Sequence, residues 1–340
     1  MSIILEYIRT KGYGGGICYS INAIVGHYLI AKKNNLNFYL NDREWPFQNE
    51  EGWCDYFDSV ITWNDSIKED TKYIIKSTEF DINYNSPYFI FSKENSFTLQ
   101  EYRDAYKYIA HLNTLMIEKM NDILKKHNLI PGEYDSIMIR RGDKMLSESL
   151  YIDTEKYLNQ LIEKDTKTIF LQTDDYDCFI ELSNIIKEKY NNSIRLVTTC
   201  PEWKKGQITA VRVKIQIIEK IIEGNFDNTI MRNLKNVECC YKLACANNKT
   251  TEEYNPIEMK EHIEEVLIGL EICTLSRYIS SELQSNVTRY LYCKHHNIDN
   301  FLALEMPSVC EFENSINGNI KPRLDTLIYN PIKDFRHIVD

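Results

Sequence analysis

The stretch that decides the fold reads SIMIRRGDK and covers residues 136 to 144. Its first four residues are mostly apolar and predict a buried strand, whereas the next five are charged residues and a glycine. Ligands of parallel α/β sheets bind at the carboxyl ends of the strands, which is where this charged turn begins. We therefore expect an α/β fold with a ligand site directly after this strand.

Strands and helices alternate on the carboxyl side of this stretch. The pattern predicts a helix, a strand that ends in Thr173-Asp174-Asp175, a further helix and a further strand. These elements fall at residues 153–164, 168–172, 179–190 and 193–197. Such alternation is typical of a parallel, doubly wound sheet.

The amino-terminal part of the chain shows the same alternation. A strand, a glycine loop, a helix and a strand are predicted at residues 3–8, 11–16, 18–33 and 37–40. Pro131-Gly132 then interrupts the pattern. We therefore predict two Rossmann-like, doubly wound domains that face a cleft, one at residues 1–130 and the other at residues 131–340.

An additional segment interrupts the second domain at about residues 200–260. The chain between Thr199 and Glu261 is about 30 residues longer than expected, an estimate based on typical connection lengths. Within it, residues 211–223 carry an apolar repeat with helical spacing, formed by Val211, Ile215, Ile218 and Ile222. We interpret this segment as a packing helix, with a lid or an acceptor platform as the alternative.

The composition of the 340 residues limits the class of protein. The hydrophobic fraction of 43% and the charged fraction of 26% are typical of a globular chain rather than a disordered one. The net charge of −10 argues against nonspecific binding to nucleic acid or to an anionic membrane, although it permits a local basic site. No apolar run reaches the roughly 18 to 20 residues that a membrane-spanning helix needs.

The first residues and the cysteines indicate the compartment. The opening MSIILEYIR lacks the basic region and apolar core of a signal peptide. The ten cysteines follow no regular framework, so we expect reduced thiols and a cytoplasmic location. Neither the cysteines at 239, 240 and 245 nor the CKHH run at 293–296 has the spacing of zinc ligands. We therefore expect no metal and no cofactor.

The charged turn after the strand contains Arg140, Arg141, Asp143 and Lys144. Guanidinium groups offer planar pairs of N–H donors that match phosphate oxygens, and they keep their charge at any working pH. Fixed cations at this position would stabilise a leaving diphosphate as its negative charge develops. The alternative is a solvated basic turn in which Asp143 forms a salt bridge.

Three further features have less specific signals. Glu148 could accept the proton of an attacking hydroxyl, or it could be an ordinary surface charge. One of Asp174 and Asp175 could cap the following helix, and these acids could also bind a ribose, a base edge or the arginine pair. The loop KGYGGG at residues 11–16 lets the backbone approach a ligand, although it matches neither the dinucleotide nor the phosphate-loop pattern.

In their order along the chain, these motifs resemble the α-1,6-fucosyltransferase family, which includes the enzymes that modify the N-glycan core and the rhizobial nodulation fucosyltransferases. The glycine loop, with Trp45-Pro46-Phe47 and Gly52-Trp53, is similar to the family's first motif. Residues 138–157 look like its signature of histidine, valine, two arginines, threonine, aspartate and lysine, without a gap. The strand that ends in two aspartates and the turn at residues 284–289 complete the likeness.

The resemblance implies a two-domain sugar-nucleotide transferase fold of the GT-B type, with the acceptor on the side of the amino-terminal domain. It implies a hexosyltransferase that moves fucose from GDP-fucose to a hydroxyl of a glycan, inverts the anomeric carbon and needs no metal. The expected partners are therefore the nucleotide-sugar donor and the glycan acceptor.

The resemblance also assigns roles to residues. Arg140, Lys144 and Tyr157 would contact the diphosphate of the donor, and Glu148 would be the acceptor base, with Asp143 orienting the set. The remaining donor-binding residues would be Gly12, Gly14, Gly16, Phe47, Met138, Arg141, Asp174, Asp175, Ser285 and Asn286.

Four positions depart from the family pattern. Met138 replaces the histidine that stacks on guanine, and Gly142 replaces a threonine, which we expect to loosen the loop. Gly269 falls where the family has its base-reading aspartate, and Asn286 replaces a glutamine.

Two alternatives to a fucosyltransferase follow from these departures. Because two of them lie at the base site, the donor could be another nucleotide sugar. A relative that binds glycans or nucleotides without turnover is the second alternative. The intact set of Arg140, Lys144 and Glu148 favours an enzyme.

Overall fold

The computed structural model describes residues 2–6, 16–63, 72–76, 97–143, 145, 151–208, 211–223, 234–246, 249–282 and 285–304. The chain divides into two compact units. The first draws on Met1–Glu118 and Pro256–Glu264, and the second on Lys119–Asn255 and Glu265–Arg323. The domain division after residue 130 stays a prediction.

In the described part of the first unit, three parallel strands form a sheet in the order β2-β1-β3. These strands are β1 (Ser2–Glu6), β2 (Asn37–Asn41) and β3 (Lys72–Lys76). Helix α1, Ile17–Lys33, lies between β1 and β2 in the chain, and 13 of its 17 residues are buried. A helix that is apolar nearly all round belongs in a core, and α1 provides one here.

Two further helices follow in the chain, α2 (Leu99–Ile109) and α3 (Thr114–Lys126). Helix α2 begins at a capping box, in which the Thr98 hydroxyl accepts from the Glu101 amide and the Glu101 carboxylate accepts from the Thr98 amide. These two bonds satisfy donors that the first turn of a helix leaves without an internal partner, so they fix where α2 starts.

Among the described residues of the second unit, five parallel strands form a sheet in the order β6-β5-β4-β7-β8. They are β4 (Asp135–Ile139), β5 (Thr168–Thr173), β6 (Arg195–Thr198), β7 (Ile279–Glu282) and β8 (Phe301–Leu304). In the register of β4 and β5, Met138 pairs with Gln172 and Ile139 with Thr173. The two strands therefore end side by side, and the loops that follow them meet at one edge of the sheet.

The helices of this unit are α4 (Thr154–Ile162), α5 (Asp177–Tyr190), α6 (Val211–Glu223), α7 (Leu234–Cys245) and α9 (Asn286–Lys294). Helix α8 is Pro256–Thr274. One face of the sheet packs Ile137, Ile139, Ile169 and Leu171 into a buried core with α4 and α5. Because successive side chains of a strand point to opposite faces, Met138 and Gln172 lie on the other face.

The amino end of β4 is held by a buried carboxylate. Asp135 accepts hydrogen bonds from the Arg277 guanidinium at 2.8 and 3.0 Å, and from the Tyr278 amide at 3.2 Å. Asp135 is 1% exposed, so an unpaired charge there would be costly. This pairing fixes β4 against β7 at the edge of the sheet that lies opposite the charged turn.

The predicted α/β class, with its parallel strands, is confirmed, and the predicted elements agree with the structure to within a few residues. The prediction of which face of α6 packs against the protein was wrong. Val211, Ile215 and Ile218 are exposed, whereas Ile217 is buried with Met145 and α7 side chains. The Ile222 side chain lies outside the described residues. Among the helices that the structure describes, none is long and apolar enough to cross a membrane.

Candidate functional site

Arg140 is the first residue after β4 and lies between two carboxylates. Its Nε is 3.6 Å from Asp174 Oδ2, and its Nη2 is 3.8 Å from Asp143 Oδ1. These separations are those of ion pairs rather than short hydrogen bonds. The side chain is 18% exposed. The guanidinium is therefore oriented by charge at the edge of the sheet while part of it faces solvent.

Arg141 points the opposite way, into the protein. Its Nη2 donates to the Ile152 carbonyl at 2.5 Å, and its guanidinium carbon lies 3.8 Å from the centroid of the Tyr151 ring. The residue is 3% exposed. A buried guanidinium with a hydrogen bond and a cation–π contact supports the turn from inside.

Asp174, at the end of β5, fixes the backbone of the arginine turn. Its Oδ1 accepts from the Arg141 amide at 2.7 Å, and its Oδ2 accepts from the Gly142 amide at 3.2 Å. Among the roles considered for the two aspartates, Asp174 therefore takes the contact with the arginine pair.

Asp175 takes the capping role. Its Oδ1 accepts from the Asp177 amide at 3.0 Å, at the start of α5. Burial raises the pKa of Asp175 to about 6, and the nearby charges of Asp177 and Asp174 act in the same direction. The first aspartate of this loop therefore binds the arginine turn, and the second binds the start of the following helix.

Gly142 tightens the turn, contrary to the expectation that it loosens it. A Cβ at this position would overlap the Gln207 carbonyl and lie 2.8 Å from the Gln207 nitrogen. The Asp143 amide donates to the Gln207 carbonyl at 2.9 Å. Only a glycine lets the two backbones approach this closely. The turn is therefore clamped between Asp174 and Gln207.

Gly206 meets Gly142 from the inserted segment. It has a φ of +95°, which favours glycine, and a Cβ there would lie 2.6 Å from the Leu243 side chain. The same added Cβ would lie 3.3 Å from Gly142 Cα. The segment that follows β6 thus packs directly on the arginine turn.

Helix α7 of the inserted segment holds the chain on both sides of Glu148. The Asn236 amide donates to the Met145 carbonyl at 2.9 Å, and its Oδ1 accepts from the Tyr151 amide at 2.8 Å. Asn236 is fully buried. Gly206, Gln207 and Asn236 were missed by sequence reasoning, because no local pattern shows that residues this distant would meet.

Three other predicted residues surround the end of β7. Ser285 caps α9, since its Oγ accepts from the Thr288 amide at 3.2 Å, and Asn286 is the first residue of that helix. Tyr157 is buried in α4, and burial raises its pKa. The neighbouring Glu282 is a third carboxylate near Arg140. Burial raises the pKa of Glu282, and the charge of Arg140 opposes that rise.

Met138 is buried on the sheet face that lies opposite the apolar core, and Gln172 is its partner in the register. A Cβ at Gly269 of α8 would overlap the Gln172 amide. An aspartate could not occupy position 269 unless this amide moved, which gives a physical reason for the departure from the family pattern.

The remaining predicted residues are not joined to this cluster by any described contact. Gly12, Gly14, Lys144 and Glu148 lie outside the described residues. Gly16 is exposed and immediately precedes α1. Phe47 is buried in the first unit, where its ring centroid lies 5.6 Å from that of Trp45. Their assigned roles stay predictions.

No protein-family model matches the sequence, and no curated protein matches it. A structure of NodZ alpha-1,6-fucosyltransferase soaked with GDP-fucose has 11% identity over 86% of this chain and 92% of its own, with a TM-score of 0.44. Fucosyltransferase NodZ from Bradyrhizobium has 10% identity over 85% and 92%, with a TM-score of 0.46.

A mutant of Arabidopsis thaliana FUT1 in complex with GDP has 8% identity over 88% of this chain and 69% of its own, with a TM-score of 0.47. All three are fucosyltransferases, the class of enzyme that the sequence motifs resemble.

Proposed function

We propose that this protein is a glycosyltransferase that takes a nucleotide sugar as its donor, with GDP-fucose as the leading donor and a glycan hydroxyl as the acceptor. The observation that carries the proposal is the placement of Arg140. Its guanidinium stands at the carboxyl end of a central parallel strand, between Asp143 and Asp174. The turn that presents it is fixed by hydrogen bonds from both sides.

The proposed chemistry combines this placement with the residue roles that the resemblance implies. Glu148 accepts the proton of the acceptor hydroxyl, and the resulting oxygen attacks the anomeric carbon from the face opposite the leaving group. The bond between that carbon and the diphosphate oxygen breaks, and the electron pair leaves with the nucleoside diphosphate. Arg140 and Lys144 stabilise the charge that develops on the leaving group, so the proposed reaction inverts the anomeric carbon and needs no metal.

The other residues complete the proposed donor site. Ser285 and Tyr157 contact the diphosphate, and Arg141 keeps the turn in place from inside. Met138 belongs to the nucleotide side of the site, and the role of Phe47 stays a prediction. The proposal includes the two-domain GT-B arrangement, and a cytoplasmic location stays a prediction.

A second candidate is a transferase with the same chemistry and a different nucleotide sugar. The observation that favours it is the contact of Gly269 with the Gln172 amide on the face where Met138 lies. An amide and a thioether differ in chemistry from a carboxylate and an imidazole, and they can select another base.

The experiment is a screen of nucleotide sugars with a mixed pool of glycans, in which product masses are read. We expect release of GDP from GDP-fucose, with or without a fucosylated product, and stabilisation against heat by GDP more than by UDP or dTDP. Stabilisation by another nucleotide with turnover of its sugar would establish the second candidate. No consumption of any donor by folded protein would overturn the proposal.

Glu148→Gln separates binding from turnover. The variant is expected to bind the donor as the wild type does and to lose most of its transfer, since the amide cannot accept the proton. Equal rates for the variant and the wild type would show that Glu148 is not the base.

A further inference from the structure

Gln172 is a buried amide at the carboxyl end of β5. The residue is 6% exposed, and its side chain lies on the sheet face opposite the apolar core. The amide lies against Gly269, where the absence of a side chain on α8 provides the space that it fills. The strand and the helix together therefore hold this polar group at the edge where the arginine turn begins.

The position of this amide needs an explanation. A buried side-chain amide normally forms hydrogen bonds, because leaving its donor and acceptor unsatisfied is costly. Within the described part of the chain, no hydrogen bond joins the Gln172 amide to another residue, and its nitrogen and oxygen are not among the fully enclosed atoms that lack a partner, so a ligand or water can reach them. Its two Nε2 donors and its Oε1 acceptor therefore fit a bound ligand better than they fit an apolar core.

The neighbours of Gln172 indicate the kind of ligand. Met138 lies beside it on β4 and offers a polarisable, apolar surface. Glu265, one turn before Gly269 on α8, pairs with the buried Lys204 at 2.7 Å. Arg140 follows Met138 by two residues. An apolar side chain, a buried amide and a cation in this order match a heterocyclic base that is linked to a phosphate.

We propose that Gln172 reads the nucleobase of the donor, with the base lying on Met138 and the diphosphate reaching Arg140. This inference rests on the proposed function and makes its donor site more specific. A carboxamide offers a donor and an acceptor side by side, so it pairs with a base edge that presents the complementary pair. Guanine presents such a pair in O6 and N1–H, and uracil presents one in O4 and N3–H.

The test measures the affinities of GDP, UDP and pyrophosphate by titration calorimetry for the wild type and for Gln172→Leu. We expect the variant to bind the preferred nucleoside diphosphate about 10-fold or more weakly and to lose the preference between bases. Its affinity for pyrophosphate, which has no base, should be unchanged. Gln160→Leu is the matched control, because the Gln160 amide is already bonded to Ser280 and Ala303.

A second variant keeps the test decisive if Gln172→Leu does not fold. Gln172→Glu retains the shape and offers only acceptors, so it should shift the affinity ratio towards GDP by about 10-fold. Guanine presents two adjacent donors, N1–H and N2–H, whereas uracil presents one. Unchanged ratios in the folded variants would overturn the role of Gln172 alone. A wild type that binds neither GDP, UDP nor pyrophosphate would overturn the proposed function as well.

Discussion

The loops that follow β4 and β5 each begin with two identical charged residues, and each pair divides in the same way. In the first loop Arg140 is partly exposed, whereas Arg141 is buried against Tyr151 and Ile152. In the second loop Asp174 bonds to the arginine turn, whereas Asp175 is buried and caps α5. One member of each pair serves the candidate site, and the other serves the fold.

The difference between the members shows how a short loop can combine binding with rigidity. Successive side chains of an extended segment point in opposite directions, so a doubled residue supplies one group to each side. Contacts that fix the backbone of the loop also explain how the exposed member of the arginine pair keeps its position. Arg140 can be held by charge because the backbone beneath it is fixed by Asp174 and Gln207.

The largest expected effect is a loss of transfer at Arg140, the outer member of the arginine pair. Arg140→Ala removes the cation that faces the proposed diphosphate, so transfer should fall at least about 100-fold. The free energy of unfolding should change by only about 1 kcal/mol, because the ion pairs of this side chain are long rather than short hydrogen bonds. Transfer rates and urea denaturation measure the two quantities.

Arg195→Ala is the matched control for this variant. Arg195 begins β6 and donates to the carbonyls of His127 and Asn128, at the amino edge of the sheet. It should leave the rate unchanged. An Arg140→Ala variant with the wild-type rate would place the diphosphate elsewhere.

The second effect concerns Arg141 and appears in stability. Arg141→Ala leaves a cavity, removes the bond to the Ile152 carbonyl and removes the contact with Tyr151. The free energy of unfolding should fall by about 3 kcal/mol. Chemical denaturation measures the loss. Stability equal to that of the wild type would show that Arg141 does not stabilise the fold. The proposed division of roles between Arg140 and Arg141 would then be wrong.

The third effect tests the clamp on the turn. Gly142→Ala drives a Cβ into the Gln207 backbone, so the free energy of unfolding should fall by about 2 kcal/mol. Gly16→Ala is the control, since no atom lies within 4 Å of a Cβ added there. Thermal unfolding of both variants gives the comparison. Equal midpoints would contradict the tight packing of Gly142.

The smallest effect concerns Asp175 and depends on pH. Its pKa of about 6 in the folded protein exceeds the value of about 3.9 for an unfolded chain, so the folded state binds the proton more tightly. The resulting stabilisation is present below about pH 4 and is lost as the pH rises through 6. Asp175→Asn should therefore gain stability relative to the wild type as the pH rises from 4 to 7.5.

Denaturation at both pH values measures this difference for Asp175→Asn. The asparagine oxygen can still accept from the Asp177 amide, so the cap itself is preserved. A difference that does not vary with pH would show that Asp175 has an ordinary pKa.

Local periodicity was sufficient to predict the strands and helices around the site, because SIMI and TIFLQT are short apolar runs bounded by charged turns. It could not predict which face of α6 is buried. That helix carries two competing apolar rows, one with Val211, Ile215 and Ile218 and the other with Val213, Ile217 and Ile221. Packing against α7 decides between the rows, and this packing is a long-range property.

The candidate site could be predicted only in part for the same reason. Arg140 and Asp174 are visible in the sequence because each follows a strand, and parallel strands bring their carboxyl ends together. In the sequence, Gln172 has the features of an ordinary strand residue. Only the structure shows that its amide lies against Gly269. Asn236 carries no local signal at all, since its partners Met145 and Tyr151 are about ninety residues away.

The contact between Gly142 and Gly206 also predicts which residue homologous chains carry at position 142. A chain that lost the inserted segment would leave the arginine turn uncovered at Gly142, and a chain with threonine at position 142 would have no room for the Gln207 backbone. We therefore expect the glycine and the inserted segment to occur together. Among homologous chains, those with a segment like that at residues 199–208 should carry glycine at this position, and those without it should tolerate larger residues.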